Sequence, residues 1–123
     1  MQYPASSPNV LAVAAIGRMA EFPPDSYQAQ TASAIEGTGL FSPKFSCFGP
    51  EIAVCAPGVA ILSSVPPNNF AVWDGTSFAA PYIAAELANL MLAIGTDAVA
   101  TPEDTTARAA QAVERLRKNA EDR

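Results

Sequence analysis

Trp73-Asp74-Gly75-Thr76-Ser77-Phe78-Ala79-Ala80-Pro81-Tyr82-Ile83 is the stretch on which the fold turns, because the pattern of the chain changes within it. Before Gly75, residues 70–73 supply the aromatic and β-branched side chains of a strand. After it, residues 77–93 are apolar nearly all round, which suits a helix buried on most sides against a sheet. Gly95 stands where a C-terminal cap would close that helix. Gly75 permits a tight strand-to-helix path. Ser77 then falls at the helix start, where unpaired N–H groups and the positive end of the dipole can stabilise an oxyanion. A serine in that place is ordinarily an N-cap, and the residues alone leave both roles open.

Upstream, Pro66-Pro67-Asn68-Asn69 reads as a turn and residues 59–62 as an extended segment. Residues 52–56 form a short strand stopped by Pro57-Gly58. Residues 18–46 break all periodicity. With Pro23-Pro24-Asp25-Ser26 and Glu36-Gly37-Thr38-Gly39 inside it, this stretch reads as a long surface excursion. The continuous apolar run of residues 10–16, between Asn9 and Gly17, suits a strand covered on both faces in a parallel sheet. It has the length of a signal-peptide core, but no basic segment precedes it, so the strand is the preferred reading. Downstream, Thr101-Pro102-Glu103-Asp104 carries a hydroxyl cap, proline at the first helical position and an acid three places after the cap. The helix it opens is amphipathic, with Ala109, Val113, Leu116 and Ala120 on one stripe.

Composition narrows the function. Half of the 123 residues are apolar, enough for one small packed domain. A net charge of −5 with seven Lys and Arg gives no footprint for nucleic acid or an anionic membrane surface. The apolar run of residues 78–94 contains Pro81, Glu86 and Asn89 and only reaches the lower limit for crossing a bilayer, so it reads as a buried helix and no membrane is expected. There is no histidine, so an imidazole base or a His-ligated metal would have to come from elsewhere. No acidic cluster reads as a calcium site, and neither metal nor cofactor is expected. Cys47 and Cys55 have neither zinc nor redox spacing and read as two buried thiols, with a disulfide still open.

Four segments together carry a family resemblance. Gly75-Thr76-Ser77-Phe78-Ala79-Ala80-Pro81 resembles the nucleophile motif of subtilisin-like serine proteases, including the proline four residues after the serine. Tyr3-Pro4-Ala5 followed by Asn9-Val10-Leu11-Ala12-Val13-Ala14-Ala15 resembles the strand after that family's oxyanion-hole region. Phe45-Ser46-Cys47-Phe48-Gly49-Pro50-Glu51-Ile52, leading into Ala56-Pro57-Gly58-Val59, resembles the segment upstream of the active serine. Tyr82 stands where the family motif usually has a non-catalytic histidine, and Ala85 where it has a small glycine. The excursion at 18–45 is longer than the family's usual connection.

The resemblance implies an α/β fold: part of a doubly wound, mostly parallel sheet with a buried helix after the nucleophile. Residues 1–95 would be the C-terminal part of a peptidase domain, with 18–45 a surface loop, and residues 96–123 an amphipathic C-terminal helix. Ser77 would be the nucleophile and its backbone N–H one oxyanion donor, while Asp74 and Phe78 would line the leaving-group side of a peptide or protein substrate. The family's catalytic Asp and His, and its side-chain oxyanion asparagine, all precede Tyr3 and have no counterpart in these residues. The expectation is therefore a chain inactive by itself, a truncated product or one piece of a split enzyme. It would be completed by a chain carrying Asp and His, or else serve as a non-catalytic assembly module whose open edges invite a partner or a second copy. Substrate preference and localisation have no signature.

Overall fold

The structure, a computed structural model, describes residues 3–19, 22–95 and 101–121. Its first strand, β1 (Val13–Arg18), begins later than the apolar run suggests. Turns hold the preceding segment, with Ser7 N–H on Pro4 O at 2.9 Å and Val10 N–H on Ser7 O at 3.3 Å. Gly17, expected to end the strand, lies inside it, because the ring of Phe41 occupies the space where a side chain would stand.

The largest departure from the sequence reading is in residues 18–45. They build helix α1 (Tyr27–Thr31) and a hairpin of β2 (Ser33–Ile35) and β3 (Leu40–Ser42). Ser26 caps α1, its hydroxyl accepting from Ala29 N–H at 3.2 Å. Glu36-Gly37-Thr38-Gly39 closes the hairpin: Gly37 and Gly39 adopt φ of 77° and 68°, and the Thr38 hydroxyl donates to Ile35 O at 2.8 Å. Phe41 then anchors β3. It is fully buried, packs on Gly17, and meets Phe22 edge-on with ring centroids 5.3 Å apart. Tertiary burial of one aromatic thus orders a segment that has no periodicity of its own.

β4 (Val54–Pro57) pairs with the other edge of β1 in parallel, Val13 opposite Val54 and Ile16 opposite Pro57. The sheet order is β2-β3-β1-β4, and β1–β3 and β2–β3 are antiparallel. This sheet is mixed, not mostly parallel, because the tight 36–39 connection can only join antiparallel strands. A second, two-stranded sheet is the antiparallel hairpin of β5 (Ile61–Val65) and β6 (Asn69–Trp73). Among the described residues, one polar side chain sits in the core. Where β3 no longer covers β1, the buried Ser46 hydroxyl accepts Ala15 N–H at 2.9 Å.

Helix α2 (Thr76–Ile94) follows β6 and ends at Gly95, which takes φ of 102°. It is not buried on most sides as expected. Within it, Ala79 and Ile83 are buried, while Tyr82 is 51% and Leu92 68% exposed. A helix apolar all round needs neighbours on every side, and the described residues cover it on a narrow stripe. By length and composition alone it could cross a membrane, although Pro81, Glu86 and Asn89 interrupt it.

The cysteines also differ from expectation. Both are free and exposed. Cys55 alternates with buried Val54 and Ala56 on β4 and so faces away from the core. Partial burial nevertheless pushes its thiol pKa up.

The chain divides into two compact units, Met1–Pro81 and Tyr82–Arg123. In the second, helix α3 (Pro102–Glu121) begins as the sequence indicates. Thr101 Oγ1 accepts Asp104 N–H at 3.2 Å, and Asp104 Oδ2 accepts from Thr101 N–H and Oγ1–H at 3.0 and 2.7 Å. Ala112 and Leu116 form its buried stripe, and the Arg108 guanidinium donates to Gly95 O at 3.0 Å.

Candidate active site

Three backbone features set the position of Ser77. Gly58, just past β4, donates its N–H to Ile16 O at 3.0 Å, which carries the parallel ladder one step beyond the strand. Gly58 O in turn accepts Gly75 N–H at 2.8 Å, tying the turn before the helix to the sheet. Phe78 N–H then donates to Gly75 O at 3.0 Å and starts α2. Gly58 allows this approach because it has no side chain. A Cβ there would lie 2.6 Å from Ala15 Cβ, 2.9 Å from Gly75 O and 3.3 Å from Ala79 Cβ.

Ser77 is the second residue of α2 and is exposed. Among the described residues its hydroxyl makes no hydrogen bond, so it caps nothing. Its N–H belongs to the first turn, which has no intrahelical acceptor, and the positive end of the helix dipole acts at the same point. Phe78 is half-buried, its ring placed where a side chain at position 75 would touch it. Asp74 has both carboxylate oxygens engaged: Oδ1 accepts Ala60 N–H at 2.7 Å, and Oδ2 accepts from the Gln28 amide. It therefore bridges the two ends of the β5–β6 hairpin to α1.

Chemically, the arrangement offers an accessible alcohol beside unpaired N–H donors. The 123 residues contain no histidine to take the hydroxyl proton. Among the described residues, no group of three or more Cys, Asp or Glu side chains is gathered to hold a metal ion. Sequence reasoning singled out Ser77, Asp74 and Phe78, which are near neighbours along the chain. It missed Gln28, and it read Gly58 only as a turn residue. A Gly-Pro or Pro-Gly pair announces a turn, but the close approach of three backbone segments at Gly58 becomes visible only in three dimensions.

Comparison with known proteins points in one direction. The family model described as "Subtilase family" matches residues 1–123. Subtilisin NAT of Bacillus subtilis subsp. natto is 33% identical over 89 residues, covering 72% of this chain and 18% of that protein. The thermostable alkaline protease of Halalkalibacterium halodurans is 34% identical over 84 residues, 68% of this chain and 18% of its own length. A subtilisin-like protease of Coccidioides posadasii is 46% identical over 56 residues, 44% of this chain and 14% of its own length. The chain thus spans less than a fifth of the length of these relatives.

Proposed function

The chain belongs to the subtilase family of serine-type hydrolases, and from that premise we propose that Ser77 is the nucleophile of a subtilisin-like endopeptidase. In this reading the Ser77 Oγ attacks the carbonyl carbon of a peptide bond, its proton passes to a histidine, and the same proton then leaves with the amine as the acyl-enzyme forms. Water releases the acyl group by the reverse sequence. The Ser77 N–H is one oxyanion donor. The observation that carries the proposal is an exposed serine hydroxyl, without a capping partner among the described residues, in the first turn of a helix.

The base cannot come from these 123 residues, which hold no histidine. Polypeptide outside them supplies the histidine, its aspartate partner and the side-chain oxyanion donor, whether in the same chain or in a complementing one. The four-stranded sheet is then one part of the family's doubly wound, mostly parallel sheet, whose remaining layers cover α2. Asp74 and Phe78 flank the leaving-group side of the scissile bond. By themselves these residues are inactive, because Ser77 without a base is an ordinary alcohol.

A second reading, a non-catalytic assembly module, draws on the exposure of α2 at Tyr82 and Leu92. A chromogenic ester separates the two. The chain mixed with a subtilase fragment bearing the Asp and His is expected to release a burst of leaving group equal to the assembled serine, abolished by Ser77→Ala. Assembly without a Ser77-dependent burst would favour the module.

A further inference from the structure

Helix α1 has no buried residue of its own, yet it is tied to the turn that carries Ser77. The tie is the Gln28 side-chain amide, which donates to Asp74 Oδ2 across 46 positions of sequence. The other oxygen of the same carboxylate accepts Ala60 N–H at 2.7 Å. Ala60 sits at φ of 54°, a conformation a residue with a Cβ seldom takes unaided, so the carboxylate also holds a strained entry to the β5–β6 hairpin. One residue beyond Asp74, Gly75 N–H is fixed to Gly58 O, and two residues further is Ser77. Hydrogen bonds to an ionised carboxylate are the stronger kind, and this one is shielded from water in part.

We infer that Gln28 is a positioning residue for Ser77. Its amide fixes the orientation of the Asp74 carboxylate, which keeps Oδ1 on Ala60 and fixes the Gly75-Thr76-Ser77 turn. The 18–45 segment is thereby a support of the nucleophile as well as an extension of the sheet. The positioning role rests on the reading of Ser77 as nucleophile; the clasp does not.

The test uses the 123-residue chain and two readouts, amide exchange at Ala60 and the rate of Ser77 labelling by a fluorophosphonate in the presence of a subtilase fragment carrying Asp and His. Gln28→Ala is expected to speed exchange at Ala60 about tenfold and to slow labelling by about tenfold or more. Gln28→Glu sets two carboxylates face to face and is expected to do the same. Adding Asp74→Asn to Gln28→Glu reverses donor and acceptor, leaves an oxygen for Ala60, and is expected to restore slow exchange at Ala60, which loss of generic helix packing would not do. Unchanged exchange at Ala60 in Gln28→Ala, or a double variant no better than Gln28→Glu, overturns the clasp. Exchange that changes while labelling does not overturns the positioning role. A wild-type mixture that never labels overturns the nucleophile reading, and the positioning role with it, while exchange at Ala60 still decides the clasp.

Discussion

Gly58→Ala places a single methyl group where three segments meet, and its cost follows from the distances. The new Cβ would lie 2.6 Å from Ala15 Cβ, about 1 Å inside the 3.5–4.0 Å at which carbon atoms pack. It would also lie 2.9 Å from the carbonyl oxygen of Gly75. Neither neighbour is the end of a flexible side chain, so relief requires β1, the Gly75-Thr76-Ser77 turn or α2 to shift as a body. Such overpacking costs about 1–3 kcal/mol. Gly58 does not occupy a left-handed conformation, so alanine brings no backbone penalty there, and the reduced freedom of the unfolded chain would offset ~0.4–1 kcal/mol. The net loss expected is therefore about 1–2 kcal/mol, read from the midpoint of urea unfolding followed by the fluorescence of the single tryptophan, Trp73. The perturbation should also loosen the hydrogen bond from Gly75 N–H to Gly58 O and speed exchange of that amide. A stability equal to or above wild type, with unchanged exchange at Gly75, would refute the close approach and with it the account of how the sheet positions Ser77.

Ser77→Ala should change stability by less than about 0.5 kcal/mol, since its hydroxyl bonds to none of the described residues; a loss above about 1 kcal/mol in the same urea assay would mean the hydroxyl is a structural partner. Ser46→Ala leaves the buried Ala15 N–H without an acceptor and should cost about 1–3 kcal/mol, with a melt indistinguishable from wild type as the contrary result. Hydrogen bonds from the Thr101 side chain and backbone hold the Asp104 carboxyl below its ordinary pKa, with Arg108 adding a smaller pull. A depressed folded-state pKa means that the stabilisation is complete above the ordinary aspartate range and is lost as pH falls through the folded value. Helicity of α3 by circular dichroism should therefore decline on acidification below that range, and an Asp104→Asn variant with the identical acid transition would contradict the assignment.

Much of the region around Ser77 could be read from the residues. The change from β-branched and aromatic side chains to a continuous apolar run located the β6–α2 junction within a residue or two. Thr101-Pro102-Glu103-Asp104 marked the start of α3 because capping chemistry is local. The hairpin in residues 18–45 could not be read, because β2 and β3 are three residues each and their order depends on Phe41 finding Gly17 and Phe22. Apolar character all round α2 signalled a need for cover without saying which residues supply it, and the described ones cover little of it. The exposed cysteines were missed for a related reason: alternation on β4 puts Val54 and Ala56 inside and Cys55 outside, and a run of three apolar residues hides which parity faces the core. At the site, Ser77 was named from its motif, whereas Gln28 and the role of Gly58 depend on long-range hydrogen bonds that no local pattern announces.

Fluorophosphonate labelling followed by mass-spectrometric mapping of the adduct decides whether Ser77 is a subtilase nucleophile that takes its base from outside these residues. No adduct is expected on the chain alone at neutral pH, and a single adduct is expected on Ser77 once a subtilase fragment carrying the aspartate and histidine is added. An adduct on another residue, rapid labelling of the chain alone, or an assembled complex that leaves Ser77 unmodified would rule that role out.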